Sequence, residues 1–450
     1  MALEVSFHGA AEGVTGSCHL VTTPAGKILV DCGMFQGDVF ASRDNARAFG
    51  FDPKEVRAVF ITHPHADHTG RLPKLLKEGF VGTVYMVPPC RPLSRLILED
   101  SVQIMAEEAE REGVTALFSA ADVAHVYECV ETVGYHTAVQ PLPGVSVMFH
   151  EAGHVLGSAY ISIETEGQRI VFSGDIGNDD VPILPPTEPL SKADVVVCES
   201  TYGDRTHEAM SRRRAKLMAA ISDTVAKRGV LLIPAFSIER TQELLYEIDQ
   251  ILLQDLKTNV PIFLDSPMAI RATQTYRDSK EYLRFDVPMS PDGDFFSFPN
   301  LRETLRVEES KAINDVAAPK VIIAGSGMMN GGRIMHHLRR YLPHASTHLL
   351  IIGYQARGTT GRKIFDGAKE VKIFGERVPV AATVSAIGAF SAHGDKDKLT
   401  RWLQPEDGKT PKKIILVHGD PEQKKAFAEH LRATLGTEVL VPKMDERAIL

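Results

Sequence analysis

Seven short apolar runs, each leading into a small or polar cluster, constrain what this chain can fold into more than any other feature. They are Ala58-Val59-Phe60-Ile61 before Thr62-His63, Ile170-Val171-Phe172 before Ser173-Gly174-Asp175, and Val195-Val196-Val197 before Cys198-Glu199. The others are Val230-Leu231-Leu232-Ile233 before Pro234, Pro261-Ile262-Phe263-Leu264 before Asp265, Val321-Ile322-Ile323 before Gly325-Ser326, and Ile414-Ile415-Leu416-Val417 before His418. Unbroken apolar, β-branched runs of this length read as strands buried on both faces. Helical patterns, such as Glu208 to Lys227 and Arg240 to Leu253, lie between them. That alternation predicts an α/β body. The N-terminal stretch differs: Val5-Ser6-Phe7-His8, Cys18-His19-Leu20-Val21 and Lys27-Ile28-Leu29-Val30 are short strands separated by glycine turns, as in a meander. In open α/β sheets, ligands bind beyond the carboxyl ends of the strands, and the polar clusters fall there.

A length of 450 residues corresponds to three modules of about 150 residues, or two with one inserted in the other. Hydrophobic residues at 44% and charged residues at 24% exclude collagen-like, disordered and coiled-coil classes. Cys18, Cys32, Cys90, Cys129 and Cys198 are odd in number and form no C-x-x-C pair. They indicate neither a disulfide framework nor a cysteine zinc site, and fit a reducing, cytoplasmic location. No basic-then-apolar leader occurs, and no apolar run approaches the roughly 20 residues that cross a bilayer. Secretion and membrane insertion are not expected. With 50 Lys plus Arg against 58 Asp plus Glu, the net charge is −8. Binding to a polyanion must therefore rest on a local patch.

Chemistry concentrates in His63-Pro64-His65-Ala66-Asp67-His68, placed after a buried run and before a helical pattern. Three imidazoles and one carboxylate within six residues suit zinc and begin two adjacent metal sites, but cannot complete both. Candidates to finish them stand at other strand ends: His154, Asp175 and His418. Taken singly, each has a plainer reading. A lone histidine at a strand end is more often a hydrogen-bonded structural residue, and Asp175 could cap a turn. The adjacent His336 and His337 cannot share a helix face and read as structural or surface residues.

The order of these motifs resembles the metallo-β-lactamase superfamily across nearly the whole chain. By that resemblance, His63, His65 and His154 would bind one zinc, Asp67, His68 and His418 the other, and Asp175 would bridge them. Asp31, in Leu29-Val30-Asp31-Cys32-Gly33, would orient a ligand histidine through its free N–H. The fold implied is an αββα sandwich.

Roughly 170 residues after Glu199 have their own strand and helix alternation and read as an inserted domain. Val197 to Gly203, Pro234-Ala235-Phe236, Gln242 to Leu245, Asp265 to Ala269, Ala324 to Met329, Gly331-Gly332-Arg333, Gly353-Tyr354-Gln355-Ala356 and Phe390 to Asp395 resemble the β-CASP nucleases. The resemblance implies a first part of the sandwich over 1–204, a β-CASP domain over 205–372 and a completing segment over 373–450. Two departures are Ser237-Ile238-Glu239-Arg240 in place of the usual small-Val-Gly-Arg, and Pro89-Cys90 where a threonine is common.

The resemblance further implies two zinc ions per chain that generate a hydroxide for hydrolysis of single-stranded RNA. Asp67, Glu199 and His393 would be the catalytic set, with His393, held by Glu199, protonating the departing O3′. A histidine at 418 resembles the RNA-acting branch. Ser326, Gly327, Gly331, Gly332 and Arg333 would approach RNA phosphates. The clusters Arg212-Arg213-Arg214, Arg339-Arg340 and Arg357 with Arg362-Lys363 read as solvated helix faces, or as backbone contacts if one lines a groove. A homo-oligomer is compatible with the sequence. Two rivals stay open: a small-molecule ester or lactone hydrolase on the same metal core, and a non-catalytic scaffold in RNA processing.

Overall fold

The computed structural model describes residues 3–36, 40–112, 115–179, 181–208, 210–254, 259–284, 294, 296–355, 358–405 and 408–450. Ala356 and Arg357, which belong to two of the sequence features above, lie outside the described residues. The chain divides into two compact units, Met1–Thr206 with His393–Leu450, and His207–Ala392.

The first unit contains two seven-stranded sheets. In one, Arg447–Ile449 pairs antiparallel with the meander Glu4–Phe7, His19–Thr23 and Gly26–Val30, itself antiparallel, which continues in parallel through Val56–Phe60, Thr83–Met86 and Val130–Thr132. The other runs in the order Glu438–Leu440, Lys413–Leu416, Val195–Cys198, Gln168–Phe172, Ala159–Thr165, Val145–Glu151, Val139–Leu142. The sheets meet through side chains such as Phe60 against Phe149 and His19 against Phe172. Helices Leu72–Lys77, Cys90–Glu112 and Ala120–Glu128 belong to the outer side of the first sheet, where Val59, Leu75, Leu98 and Val126 share one core. Helices Lys396–Trp402 and Pro421–Leu435 cover the second through Val196, Leu399, Phe427 and Leu431. This is a helix-sheet-sheet-helix sandwich. Strands enclosed on both faces must be apolar throughout, which is why the Ile170, Val195 and Ile414 runs show no alternation.

Register brings chemistry together. Phe172 pairs with Val197, and Cys198 with Leu416, in parallel. The next residues of three neighbouring strands therefore emerge at one edge, carrying Asp175, Glu199 and His418.

The second unit is built on a six-stranded sheet in the order Leu301–Glu303, Ile262–Asp265, Lys320–Ala324, Val230–Pro234, Thr347–Ile351, Thr383–Ala386. Every pair in it is parallel. Thr383–Ala386 completes this sheet, so residues 373–392 pack with the inserted unit and not with the C-terminal segment to which the sequence reading assigned them. Helices Arg213–Ala226 and Arg240–Gln254 fall on the expected patterns, the first starting later than Glu208.

A buried carboxylate organises one end of this sheet. Asp265 is fully buried and accepts from Arg333 Nη1, Thr304 Oγ1 and Ser310 Oγ, each at 2.7 Å, with His337 Nε2 also at 2.7 Å. Burial opposes its ionisation, but these hydrogen bonds win and hold its pKa at about 2. Asp265→Ala would leave the Arg333 guanidinium without its counter-charge and His337 Nε2 without its carboxylate partner. We expect it to lower stability by about 3 kcal/mol, seen as a lower urea midpoint for the full chain.

Candidate metal centre and active site

His63 follows the strand Val56–Phe60, and the chain turns at once into the short helix Ala66–Thr69, with His65 at its N-cap. This turn is tied to two other strand ends. Ser17 N donates to Asp67 O at 2.8 Å, and Cys32 N to His68 O at 2.8 Å. Gly33 permits the approach, since a Cβ there would lie 1.6 Å from the Asp67 carbonyl oxygen. Gly177 does the same for the turn carrying His154, because its Cβ would lie 2.0 Å from the Gly153 oxygen.

Two sets of donors result. In the first, His63 Nε2 and His65 Nδ1 are 3.1 Å apart, His154 Nε2 is 3.4 Å from His65 Nδ1, and Asp175 Oδ2 is 3.4 and 3.5 Å from His63 Nε2 and His154 Nε2. In the second, His68 Nε2 is 3.3 Å from His418 Nε2, which is 3.4 Å from Asp67 Oδ2, and Asp175 Oδ1 is 3.5 Å from His68 Nε2. Four ligands placed tetrahedrally at zinc bond lengths stand about 3.3–3.4 Å apart. The donor separations match that spacing. The two oxygens of Asp175 face different sets, and Asp175 Oδ1, though buried, has no hydrogen-bond partner, a state that costs free energy unless a cation completes it.

Beneath the ligands lies a layer of orienting groups. Asp31 Oδ2 is 2.7 Å from His68 Nδ1, and Asp31 Oδ1 accepts from Thr62 N at 2.8 Å. Thr62 Oγ1 reaches Asp31 Oδ2 at 2.9 Å and His63 Nδ1 at 3.1 Å, while Thr201 Oγ1 is 3.0 Å from His418 Nδ1. Thr62 and Thr201 touch the candidate ligand rings from behind, as Asp31 does. Sequence reasoning quoted both within motifs and assigned neither a role, since a lone hydroxyl carries no spacing signature.

Four carboxylates, Asp31, Asp67, Asp175 and Glu199, surround the histidines. Burial alone would keep the His68 ring neutral, yet Asp175 and Asp31 raise its pKa to about 10. The pocket thus favours positive charge at its centre, and the donor set suits metal ions. Bridged to Gly177, His393 stands beside it with Nδ1 3.2 Å from Glu199 Oε2 and 3.8 Å from Asp175 Oδ2. Burial works against its protonation, but Glu199 and then Asp175 outweigh it and bring the pKa to about 9. Glu199 is itself fixed, accepting from Ile176 N at 2.7 Å.

Ser326, Gly327, Gly331 and Gly332 form a loop at the carboxyl end of the strand Lys320–Ala324 in the inserted unit. The loop closes on itself, with Ser326 N donating to Gly331 O at 3.2 Å and Asn330 N to Ser326 Oγ at 3.3 Å. Arg333 is a correction to the sequence reading. Its guanidinium is engaged by Asp265 and by the carbonyls of Thr304 and Leu305 at 2.7–2.8 Å, so it braces the fold and does not present a free fork to a phosphate. Arg213 is likewise buried, paired with Glu243 and Glu247, and not part of a solvated face. Arg339 and Arg362 pair with Glu376 and Asp366 at the surface.

Comparison with known proteins decides the family. Residues 11–202 match the metallo-β-lactamase superfamily, 241–364 the Beta-Casp domain, and 377–442 the Zn-dependent metallo-hydrolase RNA specificity domain. Ribonuclease TTHA0252 of Thermus thermophilus is 38% identical over 97% of this chain and 98% of its own length. The chain belongs to the β-CASP ribonucleases of the metallo-β-lactamase superfamily. An RNase J-like protein of Methanocaldococcus jannaschii is 31% identical over 97% of each chain. Transcription termination factor FttA of the same organism is 31% identical over 98% of this chain and 70% of its own length. A solved protein of unknown function from Enterococcus faecalis, at 12% identity and a TM-score of 0.57 over both whole chains, shares the fold. Glu239, one of the departures noted from the resemblance, adopts a φ of 69°, a left-handed conformation that favours glycine.

Proposed function

We propose that this chain hydrolyses phosphodiester bonds of single-stranded RNA with two zinc ions. His63, His65, His154 and Asp175 would hold one, and Asp67, His68, His418 and the second oxygen of Asp175 the other. Ions so held would supply an activated water nucleophile and neutralise charge on the phosphoryl group. The observation that carries the reading is the pair of donor sets sharing Asp175, with His393 and Glu199 alongside.

The chain's own groups account for the rest. Asp31, Thr62 and Thr201 fix the ligand rings. Glu199 keeps His393 protonated, so that the ring can give its proton to the departing O3′ and leave the phosphate on the 5′ side of the new end. In the inserted unit, Ser326, Gly327, Gly331 and Gly332 are the backbone-rich segment we assign to phosphate contact, without Arg333.

The test is incubation with end-labelled single-stranded RNA, free or blocked at its 5′ terminus, with and without chelator. Cleavage should disappear with chelator and return with zinc; the blocked substrate separates internal cutting from stepwise 5′ digestion. Equal cleavage of duplex DNA would overturn the RNA assignment. Turnover of simple esters without RNA cleavage would favour a small-molecule hydrolase, and no turnover of either a scaffold.

A further inference from the structure

Outside that centre, the first unit holds another cluster of metal-ligating side chains. His136 Nε2 is 3.0 Å from Glu188 Oε1, and His150 Nδ1 is 3.7 Å from Glu188 Oε2. The three donors lie within 4.8 Å of one another. We propose that His136, His150 and Glu188 form a third metal site, for a divalent transition ion of the zinc class.

The backbone of His136 and Glu188 and the ring of His150 are fixed by the chain itself. His150 is buried, its ring stacked on Tyr160 with centroids 4.6 Å apart, and its Nε2 is 2.9 Å from Ser162 Oγ. That contact directs the other nitrogen, Nδ1, toward Glu188, the arrangement in which an imidazole gives one N–H to an oxygen and keeps a lone pair for metal. His136 adopts a φ of 60°, a left-handed conformation uncommon for a residue with a Cβ, and its N–H donates to Phe149 O at 3.0 Å. Glu188 is anchored twice: its N–H donates to Glu151 O at 3.0 Å, and its carbonyl accepts from Trp402 Nε1 at 3.0 Å. Two imidazoles and one carboxylate leave a fourth position for water, a donor set suited to zinc.

The position carries a consequence. Glu188 and Thr187 hydrogen-bond to Glu151 O and Ala152 O, next to the turn that presents His154. An ion joining Glu188 to His150 would tie the segment around Thr187 to the strand leading into that turn, and so stiffen it.

The test uses the full chain stripped of metal and dialysed against micromolar zinc, as wild type, His136→Ala and Glu188→Gln. We expect each variant to take up one equivalent per chain less than wild type, and zinc to raise the melting temperature of wild type by more than that of His136→Ala. The His136 side chain is 58% exposed, so its truncation leaves the fold intact. Ser162→Ala should retain the site with about 10–100-fold weaker zinc affinity. Equal uptake and affinity in wild type and His136→Ala would overturn the proposal and leave an ordinary ion pair. The readout is a difference between chains, so it stands whatever the centre at Asp175 holds. Repeating it on an Asp175→Ala background separates failure of the third site from failure of the two-zinc reading.

Discussion

Replacing Asp175 by alanine is expected to reduce RNA cleavage at least ~10³-fold and to remove metal from both donor sets. The two oxygens of this carboxylate face different sets, one near His63 and His154 and the other near His68. Its loss leaves three donors on each side and deletes the negative charge they share. Removing several kcal/mol of charge stabilisation from a phosphoryl-transfer site corresponds to a rate loss of about three decades. Stability should move the other way. Asp175 Oδ1 accepts no hydrogen bond from the chain, and burial pushes the carboxyl pKa up. Metal-free Asp175→Ala should therefore melt no lower than metal-free wild type, whereas added zinc should stabilise wild type by more than the variant, because only wild type binds ions tightly at this centre in the folded state. Metal analysis and paired melting curves check both halves. A variant that keeps the full zinc content of wild type and most of its turnover would remove Asp175 from the centre.

The candidate centre was legible in part through the motif order that resembles the superfamily and in part through a rule of position. Runs without polar interruption specify strands enclosed in a sandwich, parallel pairing aligns their carboxyl ends, and whatever polar residue comes next is carried to one edge. His63, Asp175, Glu199 and His418 follow that rule. What lay out of reach was which polar groups turn toward one another. Arg333 sits in a glycine-rich loop that reads as phosphate-binding, yet Asp265, sixty-eight positions earlier, claims its guanidinium. Thr62 and Thr201 reach ligand rings through single hydroxyls, and His136, His150 and Glu188 come from three separate segments. The full extent of the inserted sheet lay out of reach for a similar reason. Thr383–Ala386 is short and half-polar, but it pairs in parallel with the strand Thr347–Ile351 and so belongs to that sheet.

Replacing His393 by alanine is expected to lower kcat by about 10²–10⁴-fold while leaving metal content unchanged. The ring belongs to neither donor set; its Nδ1 is turned to Glu199, whose carboxylate is fully buried and held by Ile176 N. The sign of the pH dependence follows from the charges. Against the opposing effect of burial, Glu199 and Asp175 raise the His393 pKa to about 9, so the proton-donating form dominates at neutral pH and is lost as pH rises. Cations held close by would lower that value, so the alkaline limb of kcat should fall at or below about 9. Glu199→Gln removes the neighbouring negative charge and should shift the limb further toward acid. The leaving group supplies the decisive comparison. An O3′ alkoxide needs a proton as it departs, whereas p-nitrophenolate does not. With a p-nitrophenyl phosphodiester, His393→Ala should cleave within about tenfold of wild type while remaining poor on RNA. Equal losses on both substrates would show that the ring positions substrate or ions and does not donate the proton.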